Sequence, residues 1–317
     1  MDDLGIVFPG QGSQYVGMGR ELYERFRETR ETFEEAEEAL NVNITRLCFE
    51  GPQDLLDLTP NTQAAVLTAA IAFYRVFEKE IDIEPGVMAG HSLGEYAALC
   101  ASGAINFSDA VKLVYARGRY QQEAVPPGEG CMAAIIGLDR GLVEDICHTI
   151  TKDHEVVALV NINSPGQYVI SGTTGAVEKA VDLAKVKGAR MGIKLPISVP
   201  CHCRLLDEAA KRLGKDLDTV GIRDSSVKVI SNFDPEVLHS KETTRKLLVW
   251  QLNSPVRWQE TVERMYRMGI RTVVEIGPKR TLSSLIKRID KRIKTLNIEN
   301  VTSLKATIDF LNGNEAA

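Results

Sequence analysis

The sequence lacks any apolar run approaching the roughly eighteen residues at which a membrane-spanning helix is expected. It has no basic excess either: 38 Lys and Arg stand against 43 Asp and Glu, a formal net charge of -5. Binding a phosphate backbone calls for a concentrated basic face, so nucleic acid is a poor partner. Cysteine is sparse. Six residues (Cys48, Cys100, Cys131, Cys147, Cys201, Cys203) are far from a disulfide framework in a chain of 317. The acidic opening Met1-Asp2-Asp3 leads directly into a strand-like run and is not a secretory leader, so reduced thiols and a cytoplasmic location are expected. Internal repeats and low-complexity segments are absent, and only Asn312 to Ala317 looks frayed. What is present is 44% hydrophobic and 26% charged residues, enough apolar surface to build a core and to exclude disorder as the main state. The length predicts one large domain or two unequal ones.

Leu4 to Phe8 reads as a buried strand ending at Pro9-Gly10. Leu22, Phe26, Phe33 and Leu40 suggest one amphipathic surface helix, and Thr62 to Lys79 a buried one. Val87 to Gly90 is a second strand, Glu95 to Ser102 a helix, and Asp109 to Val125 a further helix capped by Ser108. After Val125-Pro126-Pro127-Gly128 the texture changes. Met132 to Leu138, Arg140 to Thr151, Val156 to Ile162, Tyr168 to Ser171, Gly175 to Lys187 and Ala189 to Ile197 follow the order β-α-β-β-α-β, which is ferredoxin-like. The large-domain pattern resumes with a helix from Cys203 to Leu217, a strand from Val227 to Ser231, and helices from Lys241 to Leu252 and Val256 to Met268. A strand from Thr272 to Ile276 and helices from Thr281 to Ile289 and Thr302 to Leu311 close the chain. Strands alternating with helices predict an α/β fold: a large α/β-hydrolase-like domain with a parallel sheet, residues 1–125 and 201–317, interrupted by an inserted ferredoxin-like domain, residues 126–200.

The strongest local signal is Gly90-His91-Ser92-Leu93-Gly94 between a strand and a helix. Gly-x-Ser-x-Gly in that context is a nucleophile elbow, with the helix N-terminus aiming amides at the serine and Leu93 able to donate to an oxyanion. Of the five histidines, His91 adjoins the nucleophile, and His148, His154 and His239 are explained by their surroundings. His202, just after Pro200 where the chain re-enters the large domain, is the best general base, against a structural histidine. Cys201-His202-Cys203 does not have the usual zinc-knuckle spacing, so no metal is expected. The run Phe8-Pro9-Gly10-Gln11-Gly12-Ser13-Gln14 has neither the lysine of a P-loop nor the third glycine of a dinucleotide fingerprint, since Tyr15 stands there. Those glycines more simply shape a loop at the carboxyl edge of the sheet, where Gln11 could supply a donor. Arg117 lies on the apolar stripe of its helix. It is either a structural ion pair or a clamp for a substrate carboxylate.

Seven stretches stand in order: Phe8 to Gln14, Gly90-His91-Ser92-Leu93-Gly94-Glu95-Tyr96, Ala116-Arg117-Gly118, Asn163-Ser164-Pro165-Gly166-Gln167, Val199-Pro200-Cys201-His202, Gln251-Leu252 with Pro255-Val256 and Trp258, and Glu275-Ile276-Gly277-Pro278. Together they closely resemble the malonyl-CoA:acyl carrier protein transacylases of bacterial type II fatty acid synthesis, over nearly the whole chain. The resemblance implies that Ser92 takes malonyl from coenzyme A, with His202 as base and later acid. It implies that Arg117 clamps the free carboxylate and that the amides of Gln11 and Leu93 form the oxyanion hole. It implies that the Gln251 carbonyl orients His202 in place of a triad acid. Substrate-side positions are implied for His91, Asn163 and Arg190, the last against coenzyme A. Arg190 is followed by Met191, where relatives often carry a second basic residue. The implied partners are malonyl-CoA and holo-acyl carrier protein, with no cofactor, and the expected state is a monomer. A net charge of -5 offers no global attraction to an acidic carrier. Rival readings are a free-standing acyltransferase of a polyketide synthase or malonate decarboxylase system, a serine hydrolase, and a binding module that forms no acyl adduct.

Overall fold

The computed structural model describes residues 1–197 and 199–314. Eight strands run in chain order: β1 (Leu4–Phe8), β2 (Val87–Gly90), β3 (Gly130–Ile136), β4 (Val157–Ser164), β5 (Gln167–Thr173), β6 (Met191–Lys194), β7 (Thr272–Ile276) and β8 (Lys294–Ile298). They form two sheets. One is wholly parallel, in the order β2-β1-β7-β8, and the other is antiparallel, in the order β4-β5-β3-β6.

The parallel sheet is covered on both faces, as such sheets must be. Alternation along β1 shows it: Leu4, Ile6 and Phe8 join the core formed with helices Thr59–Glu80 and Phe107–Ala124, while Val7 joins a second core with Trp258, Val262 and Leu282. The antiparallel sheet obeys the same period. Cys131, Ala133 and Ile135 of β3 pack against helices Arg140–Ile150 and Thr174–Val186, and Met132 turns the other way into the large core. Edge strand β4 is also tied to the large domain. Ile162 N–H donates to Val256 O (3.0 Å) and Val256 N–H to Val160 O (2.8 Å). The two are thereby linked through main-chain bonds. No helix among the described residues is long and apolar enough to cross a membrane.

Several expectations change; among them, the helices expected from Cys203, Lys241 and Val256 start at Asp207, after a short 3-10 turn, at Thr244 and at Trp258. The first amphipathic helix is two, Arg20–Arg25 and Arg27–Leu40, because Phe26 is extended (φ -112°, ψ 134°). The helix expected to start beyond Ser108 starts at Phe107, with Asn106 at the cap position and Ser108 inside the first turn. The strand expected over Val227 to Ser231 is reduced to bridges, Val229 beside Met88 and Ile230 beside Leu238. β8 was not anticipated: Lys-Thr-Leu-Asn-Ile is mostly polar and half-exposed, as an edge strand tolerates.

Candidate active site

β2 ends at Gly90, and the helix Leu93–Ala101 begins one residue past Ser92. The turn between them is sharp: Ser92 sits at φ 53°, ψ -105°. Only glycine fits on either side. A Cβ on Gly90 would lie 1.9 Å from the Gly94 carbonyl carbon, and one on Gly94 would lie 2.0 Å from Phe8 O. The close approach of β1, β2 and the helix start therefore dictates both glycines and lifts the serine above the sheet edge.

Ser92 Oγ lies 2.7 Å from His202 Nε2. His202 Nδ1 donates to the main-chain carbonyl of Gln251 (2.8 Å), at the end of helix Thr244–Asn253. A carbonyl only accepts, so Nδ1 carries the proton. In the neutral ring Nε2 is then the bare acceptor facing the serine hydroxyl. The ring is neutral because burial, and secondly the Arg117 charge, depress its pKa to about 3. Like Ser92, His202 has a left-handed backbone, φ 61°.

Arg117 is 1% exposed. Its Nη2 donates to Ser92 Oγ (3.1 Å) and to Gln251 Oε1 (3.0 Å), and its Nη1 to Gln63 Oε1 (2.9 Å) and more weakly to Gln121 Oε1 (3.4 Å). Every one of these acceptors is neutral. Among the described residues Arg117 forms no ion pair, and its Nε has no partner. The structural ion pair that the sequence left open is therefore not its role. It presents an uncompensated cation, held in place by amides, beside the nucleophile.

Leu93 is the first residue of its helix and Gln11 lies in the loop after β1. Both line a narrow cleft of about 50 Å³ over Ser92, with His91, Met132, Asn161, Ile197 and Cys201. A second hollow of about 180 Å³ continues outward between the sheets and shares Gln11, His91, Met132, Asn161 and Ile197. His91 does not face the reacting atoms freely. Its Nε2 donates to Asn163 Oδ1 (2.9 Å), its ring packs near Trp258, and burial lowers its pKa. Asn163 lines the outer hollow, whereas Arg190 is exposed and lines neither. Cys201 and Cys203 are buried free thiols, pushed up to about 12 and about 11 by burial.

Sequence reasoning missed the layer beneath the site. Asn232 Oδ1 accepts the Ser92 amide (2.6 Å) and its Nδ2 donates to Gly90 O (2.6 Å), bracing the elbow from both ends. Glu95, fully buried, accepts from the Asn232 amide (2.9 Å), from Gln251 Nε2 (3.1 Å) and from His239 Nε2 (2.6 Å). Gln251 Nε2 also donates to Ser92 O (2.7 Å). One signal was available: Gln121 stands one helical turn past Arg117, on the same stripe.

A serine on a strained elbow, a neutral histidine oriented by a carbonyl, and a cleft closed by a second sheet define a protein of the serine acyl-transfer class. Residues 6–306 match the acyl transferase domain family. The chain is 44% identical over 311 residues to the malonyl CoA-acyl carrier protein transacylase of Bacillus subtilis strain 168, covering 98% of each chain. It is similar to the solved malonyl CoA-acyl carrier protein transacylase of Coxiella burnetii, with a TM-score of 0.94, 44% identity and 97% of each chain covered. It is similar also to a malonyl-transacylase solved in complex with a type II polyketide acyl-carrier protein, with a TM-score of 0.95, 40% identity, and 97% of this chain and 99% of that one covered. This chain belongs to the malonyl CoA-acyl carrier protein transacylase family.

Proposed function

We propose that the protein moves malonyl from malonyl-CoA to the phosphopantetheine thiol of acyl carrier protein through a malonyl ester on Ser92, supplying fatty acid synthesis. The observation that carries the proposal is the buried Arg117 guanidinium, unpaired by any carboxylate among the described residues and 3.1 Å from the nucleophile oxygen. A substrate that brings its own carboxylate completes that site, and acetyl does not. In the first half-reaction His202 Nε2 takes the Ser92 hydroxyl proton as Oγ attacks the thioester carbonyl. The Leu93 and Gln11 amides hold the oxyanion, the C–S bond breaks, and His202 returns the proton to the leaving thiolate. In the second the carrier thiol loses its proton to His202, attacks the serine ester, and releases Ser92 with its proton restored.

His91 and Asn163 act as a hydrogen-bonded pair lining the coenzyme A corridor, and Arg190 as an outer contact for the coenzyme. Residues 126–200 are taken as the inserted subdomain, which supplies Met132, Asn161 and Ile197 as the roof over the serine. The working state is a monomer in the cytoplasm. A polyketide carrier is the second reading, favoured by the similarity to the transacylase solved with one.

Mass spectrometry after brief exposure to malonyl-CoA tests the class: a malonyl adduct on Ser92, absent in Ser92→Ala, is expected. Free malonate as the main product in the presence of holo-carrier would make the protein a hydrolase instead.

A further inference from the structure

Helix Leu93–Ala101 carries Glu95 in its first turn, pointing away from the cleft into the protein. It touches none of the reacting atoms, yet two of the three side-chain bonds it accepts come from groups that brace the site, Gln251 and Asn232. Oε2 accepts from Gln251 Nε2 and from the Asn232 amide. Oε1 accepts from His239 Nε2.

The Gln251 amide has two orientations, and only one serves Arg117. Arg117 is donor-only and needs Oε1 facing it, whereas Ser92 O and Glu95 are acceptors and need Nε2. Ser92 O is a main-chain carbonyl whose other lone pair already takes the Glu95 amide. Glu95 is therefore the side chain that fixes which end of Gln251 meets the guanidinium.

His239 is fixed in turn. The Thr244 hydroxyl gives its one proton to Ser240 O (2.8 Å), so it can only accept from His239 Nδ1 (3.1 Å). His239 Nδ1 thus carries hydrogen, and one further proton is shared between Nε2 and Glu95. The pair is neutral overall, whichever of the two holds that proton. Glu95 accordingly works as an acceptor at a defined reach, not as a charge.

We infer that Glu95, held by His239, is a positioning residue that sets the orientation of the Gln251 amide and through it the carboxylate-binding posture of Arg117. This rests on the malonyl-transfer function proposed above. Two mild substitutions separate reach from charge. Glu95→Gln keeps the reach: its oxygen can serve Gln251 and Asn232 while its amide donates to a neutral His239. Glu95→Asp keeps the charge but withdraws the carboxylate by one methylene from Gln251.

The experiment measures kcat/KM for loading of Ser92 from malonyl-CoA and from acetyl-CoA in the wild type and both variants, with thermal melts to confirm folding. Leaving one buried donor unsatisfied is worth about tenfold, so the malonyl-to-acetyl ratio should fall about tenfold in Glu95→Asp. In Glu95→Gln the ratio should stay within about threefold of wild type, since the same bonds are kept. The opposite pattern, a ratio lost in Gln and kept in Asp, would make Glu95 a through-space charge and overturn the assignment. Equal ratios in all three proteins would reduce it to a structural residue. Failure of the wild type to form any malonyl adduct would instead sink the function and leave the Glu95 geometry untouched.

Discussion

Replacing Arg117 by alanine removes a side chain that is 1% exposed and donates four hydrogen bonds. Its loss leaves a malonyl carboxylate to enter the cleft without a cation. Breaking one side of a buried charge pair costs about 3–5 kcal/mol, or roughly 10²- to 4 × 10³-fold in kcat/KM for malonyl. Acetyl, which never used the guanidinium, loses little of this. It also gains, because the Arg117 charge is the second cause of the low His202 pKa. The two effects narrow the malonyl-to-acetyl gap from both ends. Rapid-quench loading of Ser92 with each thioester, followed by intact-protein mass spectrometry, reads the gap directly. The same variant makes a second, independent prediction. The base must be neutral to act, so loading falls as pH drops through the His202 pKa. Raising that pKa moves the acid limb of the acetyl profile to higher pH than in the wild type. Unchanged selectivity together with an unmoved acid limb would refute the role given to Arg117.

Three further outcomes are expected. Burial, and secondly the Arg117 charge, depress the His202 pKa from the ordinary histidine value of 6.5 to about 3 in the folded chain. The unfolded chain therefore binds the extra proton between those values, and stability present above pH about 6.5 is lost as pH falls through the folded pKa. His202→Gln should flatten that part of a urea-midpoint-against-pH curve, and a curve as steep as wild type would contradict the buried neutral ring. Gly94→Ala should destabilise by about 3 kcal/mol, the upper end for overpacking, or abolish soluble expression, because the added methyl meets Phe8 O at 2.0 Å; a melting temperature near wild type would show that the elbow relaxes. Asn232→Ala orphans the Ser92 amide and Gly90 O, at about 1–3 kcal/mol for each buried group, and should lower both melting temperature and loading rate; a drop in stability alone would separate the brace from the chemistry.

The parts of the molecule legible in the sequence share one property: their cause is local. β1, β2 and β7 were bounded to the residue because short apolar runs end at Pro9, Gly90 and Gly277. The small domain was legible from its order of elements, which the sheet order β4-β5-β3-β6 matches. The elbow was legible because strand, turn and helix are contiguous. β8 escaped because an edge strand needs apolar residues on little of its surface. Val227 to Ser231 was over-read because a β-branched run signals extension, not pairing, and its neighbour Met88 makes only a bridge. The bracing layer was illegible for another reason. Asn232 and His239 lie more than a hundred residues from Glu95, and a polar residue inside a core announces neither its burial nor its partner. Arg117 shows the limit most clearly: its apolar stripe marked it as unusual, but only the absence of a carboxylate beside it distinguishes a waiting clamp from a finished ion pair.

The two residues that exchange a proton, Ser92 and His202, both occupy backbone conformations that side chains disfavour, φ 53° and φ 61°. Each such position costs of order 1–3 kcal/mol, and glycine would hold it with less strain. Reactivity and ease of folding thus pull against each other at the same two positions. A screen for heat resistance that ignored turnover would drift toward Ser92→Gly and His202→Gly, and would return a sturdier protein with nothing left to transfer.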